Sequence, residues 1–172
     1  MEYFDLYDAE RNALGLTHRR GDPLPPGAYH IVCEVWTVND LGLALLTRRD
    51  ACKRLYPGLW ENTGGVVLAG EDSRQGAVRE LMEETGIRAE PAELTFQGSF
   101  QVGSVFVDMY LLRKNVELSE LKLQPGETVD ARWATLKEIR EMWDRGELAF
   151  RTWERLRFIE RALQGDDAGP SA

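Results

Sequence analysis

Acidic side chains are concentrated in one short stretch of the chain. Glu80, Glu83 and Glu84 are spaced by three and four residues, and Glu71 lies a little before them. In a helix, this spacing places the three glutamates in one sector of the surface. Like charges so placed destabilise a helix by roughly 0.2–0.5 kcal/mol per pair. Arg79 alone does not neutralise four acids, so the pattern predicts a bound cation, with a solvated acidic face as the alternative.

A hard divalent cation suits such a cluster. Mg²⁺ takes oxygen ligands and commonly combines a few carboxylates with the phosphate oxygens of a substrate. The formal net charge is −8 and the basic residues form no continuous stripe, which argues against a polymeric nucleic acid as partner. A metal ion reverses the local field, so an acidic protein of this kind can still bind a small phosphate compound.

The residues around the cluster follow a known pattern. Segment 65–87 runs glycine, five residues, glutamate, seven residues and then Arg-Glu-Leu-Met-Glu-Glu-Thr-Gly-Ile. It resembles the Nudix signature G-x5-E-x7-R-E-U-x-E-E-x-G-U, with Leu81 and Ile87 at the bulky aliphatic (U) positions. Every specified position matches, so chance coincidence is a poor explanation. The resemblance extends over residues 28–145 and implies an α/β/α sandwich.

The resemblance also implies functional roles. A Mg²⁺-dependent hydrolase, with Mn²⁺ as a possible substitute, would cleave a phosphoanhydride bond of a small diphosphate compound by attack of water on phosphorus. Arg79 would orient the acids by ion pairing. Glu80 is the first choice for general base, with Glu127 or Asp130, in a loop predicted at 124–130, as alternatives. The implied catalytic residues are Arg79, Glu80, Glu83 and Glu84; the implied metal ligands are Glu71, Glu80, Glu83, Glu84 and a backbone carbonyl of Gly64 or Gly65.

A basic segment precedes this signature. Residues 48–59 are polar, rich in cations and end in a Pro-Gly turn, which predicts a surface loop facing either a ligand or water. The candidate substrate-binding residues are Arg48, Arg49, Lys53 and Arg54. With the N-terminal segment, this loop resembles isopentenyl diphosphate isomerase, a Nudix-fold enzyme. Those isomerases carry a catalytic cysteine where this chain has Gly64, which argues against isomerase activity.

The remaining elements must position these groups. Alternating apolar residues predict a hairpin in 2–16 and core strands at 30–38, 43–47, 60–68, 94–101 and 105–112. Helical spacing predicts helices at 72–85, 136–145 and 149–163. Strands and helices intermix without regular alternation, so the predicted class is α/β (α+β) with a mixed sheet. We predict one domain over 1–164: a hairpin and connector at 1–27, a core at 28–145 and a C-terminal helix at 148–164. The polar tail 165–172 is predicted to be disordered.

Composition narrows the function classes. The apolar fraction is 43%, and no apolar run reaches the roughly 20 residues that span a bilayer. We expect a cytoplasmic protein with no membrane partner, and free thiols at Cys33 and Cys52. A homodimer through the hairpin or the last helix is possible. Three classes stay open: a diphosphate hydrolase, an isomerase-like enzyme and a non-catalytic Nudix-fold binding module.

Overall fold

The computed structural model describes residues 1–163 and contains nine strands and four α-helices within them. The strands are β1 (Tyr3–Tyr7), β2 (Ala13–Arg19), β3 (His30–Val38), β4 (Ala44–Arg49), β5 (Trp60–Glu61), β6 (Thr63–Val66), β7 (Leu94–Val102), β8 (Val105–Arg113) and β9 (Thr128–Ala134). The helices are α1 (Ser73–Thr85), α2 (Leu136–Asp144), α3 (Phe150–Arg155) and α4 (Glu160–Leu163). Short 3-10 turns occupy Pro91–Glu93, Leu118–Glu120 and Leu156–Phe158.

Strand β3 organises the main sheet. It runs parallel to β8 along its whole length and antiparallel to β6 on its other edge. β8 continues into an antiparallel hairpin with β7, whereas β4 carries β5 and β9. The sheet is therefore mixed, which confirms the predicted class. Strands β1 and β2 form a separate antiparallel pair, as predicted for the N-terminal hairpin.

The sheet is covered on both faces. Along β8, Val107 and Met109 pack with α2 and the C-terminal segment, whereas the alternate residues Tyr110 and Leu112 pack against α1. This alternation follows from the period of two of a strand whose faces are both buried. The result is the α/β/α sandwich that the family resemblance implied.

Residues at the two ends of helix α1 determine where it begins and ends. The Asp72 side chain accepts a hydrogen bond from the Gln75 backbone N–H, and the Gln75 side chain accepts one from Asp72 N–H, both at 2.8 Å. Gly86 follows the helix at φ 75°, a conformation that glycine adopts without strain. Ala77 and Leu81 are fully buried. The predicted helix at 72–85 is confirmed to within one residue.

Two predicted loops are shorter than expected. Arg48 and Arg49 belong to β4, and Asp130 belongs to β9, because the two strands pair with Arg48 opposite Asp130. The prediction that these three residues lie in loops is therefore wrong. A neighbouring strand extends the ladder of backbone hydrogen bonds through polar sequence, which composition alone does not indicate.

The C-terminal segment is also corrected. In place of one helix at 149–163, α3 is followed by the Leu156–Phe158 turn and then by α4. Leu156 and Ile159 are both buried in the core beside α2. The helix is interrupted at Ile159, whose φ is −123°, and the interruption allows both residues to be buried. The predicted disordered tail lies outside the described residues, and the single-domain organisation stays a prediction.

Two simpler expectations concern the cysteines and the membrane. Cys33 is buried and Cys52 exposed, and both are free thiols, as predicted. No helix within residues 1–163 combines the length and apolar character needed to cross a bilayer.

Candidate active site

A cavity of about 560 Å³ opens beside helix α1. Its lining comes from α1, strands β3, β5 and β6, the segments 49–55 and 124–127, helix α3 and two residues of the N-terminal hairpin region, Glu2 and Arg20. The volume lies within the roughly 300–1,000 Å³ of small-molecule sites. We call the side formed by Glu80, Glu83 and Glu84 the acidic wall.

The three acids of this wall differ in exposure. The side chain of Glu83 is 48% exposed and that of Glu80 13%, whereas Glu84 as a residue is only 7% exposed. The helical spacing predicted all three on the surface, which is wrong for Glu84, because it is buried although it lines the cavity with the other two. The position of β6 explains this, because the Gly64 N–H of that strand donates a hydrogen bond of 3.3 Å to the Glu84 carboxylate.

Arg79 holds the acids in place. Its Nε and Nη2 donate to the two carboxylate oxygens of Glu71 at 2.8 and 3.1 Å. Its Nη1 donates to Glu80 at 2.9 Å and to Glu83 at 3.1 Å. A further bond of 2.8 Å runs from Nη2 to the Val66 carbonyl. Burial lowers the pKa of Arg79, but the hydrogen bonds with Glu71 and Glu80 outweigh it and the net direction is upward. The guanidinium is a permanent, planar clamp.

Two glycines let the strand approach the acids. A Cβ at Gly65 would lie 2.2 Å from Oε1 of Glu80, and a Cβ at Gly64 would lie 2.6 Å from the Cys33 carbonyl oxygen. Neither position has room for a larger residue without a shift of its neighbours. Cys33 lies opposite Gly65 on the neighbouring strand β3, and burial raises the pKa of its thiol to about 12, so it stays protonated.

Burial and mutual repulsion disfavour the ionised form of the carboxylates at the cavity. Burial, followed by repulsion from Glu61 and Glu80, raises the pKa of Glu84 well above its ordinary range. Burial also raises the pKa of Glu80, although Arg79 opposes the shift, and it raises that of Glu61 against the attraction of Arg49. Carboxylates in such surroundings either keep a proton or require a nearby cation.

Cations from other elements also line the cavity. They are Arg49, Lys53 and Arg54 from the basic segment and Arg151 from α3, and we call them the cationic wall. Arg49 forms a buried ion pair with Glu61, and Lys53 pairs with Glu127, which also lines the cavity. The structure thus brings together three of the four predicted substrate-binding residues.

Arg48 and Asp130 lie elsewhere. The Arg48 Nε donates to the Gly58 carbonyl at 3.0 Å, and Asp130 is exposed on β9 opposite Arg48. Neither residue lines the cavity formed within residues 1–163.

Comparison with known proteins places this geometry in a family. The NUDIX domain profile matches residues 28–154. A Nudix hydrolase of Listeria monocytogenes, named as uncharacterized, is 36% identical over 148 residues, which cover 86% of this chain and 88% of that protein. The chain belongs to the Nudix family.

Two other matches mark the range of the family. An isopentenyl-diphosphate Delta-isomerase of Citrobacter koseri is 24% identical over 160 residues, covering 88% of this chain and 87% of the isomerase. The NUDIX domain of Shewanella oneidensis NrtR, solved in complex with ADP ribose, superposes with a TM-score of 0.65. That domain is 19% identical and covers 84% of this chain and 94% of its own, so it supports the fold alone. The family comparisons identify the chain as a Nudix hydrolase.

The donor set of this Nudix site fits a hard divalent cation. Within residues 1–163, no three or more His, Cys, Asp or Glu side chains already have the arrangement of a metal site. Glu84 is nevertheless repelled by three further carboxylates, Glu61, Glu80 and Glu127, and, within those residues, its carboxylate accepts a hydrogen bond from Gly64 N–H alone. Oxygen donors with excess negative charge are the environment that Mg²⁺ and Mn²⁺ prefer.

Several lining residues were not predicted from the sequence. Glu61 follows the basic segment on β5, Arg151, Thr152 and Arg155 come from α3, and Glu34 from β3 pairs with Arg155. The hairpin adds the ion pair of Glu2 and Arg20. Because the Trp-Glu-Asn sequence at 60–62 lies close to the signature, the sequence alone could have indicated Glu61 as a site residue. The residues of α3 and the hairpin reach the cavity only through the tertiary fold, which no local pattern encodes.

Proposed function

We propose that this Nudix hydrolase requires Mg²⁺, or Mn²⁺ in its place, and cleaves the phosphoanhydride bond of a nucleoside diphosphate linked to another moiety. One observation carries the proposal: the buried carboxylates of Glu80 and Glu84 repel each other in a cavity that is also lined by the cations of the cationic wall. The carboxylates suit a metal ion and the cations suit phosphate oxygens.

In this proposal the metal is held by Glu80, Glu83, Glu84 and a carbonyl of Gly64 or Gly65, with Glu71 as a supporting acid. Bound Mg²⁺ would supply neutralisation of phosphate charge and acidity for a coordinated water. Arg79 keeps the acids in position through its fixed donor fork.

Glu80 accepts the proton of the attacking water in this scheme. Its pKa is raised by burial, and a more basic carboxylate is a better proton acceptor near neutral pH. Glu127 is the second candidate because it also lines the cavity, although its ion pair with Lys53 lowers its availability.

The cationic wall determines how a diphosphate would lie. Lys53 and Arg54 are placed to attract phosphate oxygens, and the cavity has room for more than a diphosphate alone. A nucleoside diphosphate derivative fits this proposal, since the related Shewanella domain was solved with ADP ribose. We also propose a cytoplasmic location and leave a homodimer to be tested by light scattering.

An isomerase-like activity is the second candidate, favoured by the relationship to isopentenyl-diphosphate isomerases over most of the chain. The packing at Gly64 counts against it. The isomerases need a cysteine at this position, and a Cβ there would lie 2.6 Å from the Cys33 carbonyl oxygen and 2.7 Å from Cγ of Glu34.

The test is a panel of diphosphate compounds incubated with Mg²⁺, with released monophosphates measured by chromatography. Isopentenyl diphosphate is included, and its double-bond position is followed by NMR. We expect phosphate release from at least one nucleoside diphosphate derivative and no double-bond migration. Migration without phosphate release would favour the isomerase, and no turnover of any compound would favour the binding module.

A further inference from the structure

Arg151 differs in charge pairing from most other cations that line the cavity. Arg20, Arg49, Lys53 and Arg155 each form an ion pair with a carboxylate. Within residues 1–163, Arg151 forms no such pair, and its Nε atom is buried without a hydrogen-bond partner. Glu61 attracts Arg151 at longer range without forming an ion pair with it. Among residues 1–163 the buried Nε still has no hydrogen-bond acceptor, so the position suits an anion that arrives from outside the chain.

The position of Arg151 is nevertheless fixed by an aromatic ring. Its guanidinium lies 5.5 Å from the centroid of the Tyr56 ring. Tyr56 has a φ of 52°, in the left-handed region that a bulky residue seldom adopts, and it precedes Pro57. The Leu59 N–H closes this turn by donating to the Tyr56 carbonyl at 3.3 Å. The turn thus holds an aromatic platform beneath the cation in a strained conformation.

From this geometry we infer that Arg151, supported on Tyr56, binds an oxygen of the substrate's diphosphate group from the cationic wall. The inference rests on the proposed function and adds a residue outside the Nudix signature to it. A planar guanidinium suits phosphate because it donates two parallel hydrogen bonds, and an aromatic face beneath it limits its rotation. Arg54, which also lines the cavity, is exposed and has no comparable support within residues 1–163.

The experiment measures binding without turnover. Methylenediphosphonate, a non-hydrolysable diphosphate, is titrated calorimetrically into the full chain saturated with Mg²⁺. We expect Arg151→Gln to raise the dissociation constant of the probe roughly tenfold to a hundredfold, which is the range for loss of a charge-assisted hydrogen bond. Arg151→Lys keeps the charge but not the planar donor fork. Its dissociation constant for the probe should lie between those of Arg151→Gln and the native chain. Tyr56→Leu should weaken binding by roughly threefold to tenfold, since it removes a cation–π contact.

Arg157→Gln is the matched control. Arg157 belongs to the same segment and lies 5.1 Å from the Phe158 ring centroid, but it lines a second groove and not this cavity. Its substitution should leave the dissociation constant unchanged. Circular dichroism and thermal melting verify folding of every variant, and Arg151→Lys serves if Arg151→Gln does not fold.

Equal binding by the native chain and a folded Arg151 variant would overturn the inference, as would failure of the native chain to bind the probe. The proposed function fails in a different way. If the native chain binds the probe through Arg151 but hydrolyses no compound of the diphosphate panel, the subsite stands and the hydrolase assignment does not.

Discussion

The acidic and cationic walls of the cavity are built in different ways. The acidic wall rises from one helix, with Glu80 and Glu84 one turn apart and Arg79 beside them. The cationic wall collects Lys53 from a loop and Arg151 from the C-terminal segment, about a hundred residues apart in sequence. One wall is rigid and contiguous, and the other is assembled by tertiary folding.

The difference extends to how charge is balanced. In the cationic wall, Arg49 and Lys53 each have a carboxylate partner of their own. Arg79 pairs with Glu80 and Glu83 of the acidic wall and with Glu71 outside it, and Glu84 is left without a cationic partner among residues 1–163. We therefore expect single changes in the acidic wall to abolish chemistry, whereas single changes in the cationic wall should weaken binding.

The largest effect is expected for Glu84→Gln. The substitution keeps the shape of the side chain but removes the charge that a divalent cation needs. Hydrolysis at saturating Mg²⁺ should fall roughly 10²–10³-fold, the typical cost of removing one group that stabilises the transition state electrostatically. Steady-state kinetics measure this, and Mn²⁺ titration followed by electron paramagnetic resonance should show weaker metal binding.

Glu120→Gln is the control for that variant because Glu120 is exposed and does not line the cavity. It should turn over substrate like the native chain. Unchanged turnover in a folded Glu84→Gln protein would refute the metal role of the acidic wall.

Smaller effects are expected for alanine substitutions of Gly64 and Gly65 in β6, and the two substitutions should damage different properties. In Gly65→Ala the new Cβ meets the end of the flexible Glu80 side chain, so the acid moves and kcat should drop roughly tenfold to a hundredfold. In Gly64→Ala the Cβ meets the backbone at Cys33, so the free energy of unfolding should fall by about 2 kcal/mol. Kinetics and urea titration of both variants test the distinction. Gly65→Ala should lose less stability than Gly64→Ala, because only a flexible side chain has to move. Equal losses of unfolding free energy in the two variants would show that Glu80 is not the group displaced.

The contrast between the walls also explains what the sequence could predict. The helix and the spacing of Glu80, Glu83 and Glu84 depend on residues near one another, so periodicity and the signature predict them. Arg151 is absent from that prediction because its place in the cavity depends on how the C-terminal segment packs.

Burial is the other property that sequence did not predict. The helical wheel assigned Glu84 to an outward sector, but β6 covers that sector and buries the carboxylate. Similarly, composition predicts Arg48 and Asp130 in two separate loops, whereas the ladder between β4 and β9 places them on paired strands. Pairing and burial are properties of the fold, beyond the reach of local pattern.

A moderate, pH-dependent effect should appear in the metal-free protein. Burial raises the pKa of Glu84, so between about 4.3, the unfolded value, and the higher folded pKa the folded chain binds more protons than the unfolded chain. The stability that this group contributes is therefore complete below that window and declines as pH rises through it. Each unit of upward shift corresponds to about 1.4 kcal/mol.

Glu84→Gln removes this titration. We expect the unfolding free energy of the variant, minus that of the native chain, to increase between pH 4.5 and pH 7.5 when both are measured by urea titration in EDTA. Glu120→Gln should show no such trend. Saturating Mg²⁺ should reverse the sign near neutral pH, because the native chain then gains stability from metal binding. A difference that is independent of pH would indicate that Glu84 is ionised throughout.

The smallest effects are expected for Arg48→Gln and Asp130→Asn. Both side chains lie outside the cavity lining of residues 1–163, on the exposed side of the β4–β9 pair. Exposed substitutions away from a site usually change free energies by no more than about 0.5 kcal/mol, so kcat and KM should stay within roughly twofold of native values. Lys53→Gln, inside the cavity, should by contrast raise KM. A large loss of kcat in Asp130→Asn would restore this residue as general base and would mean that the cavity rearranges around β9 when substrate binds.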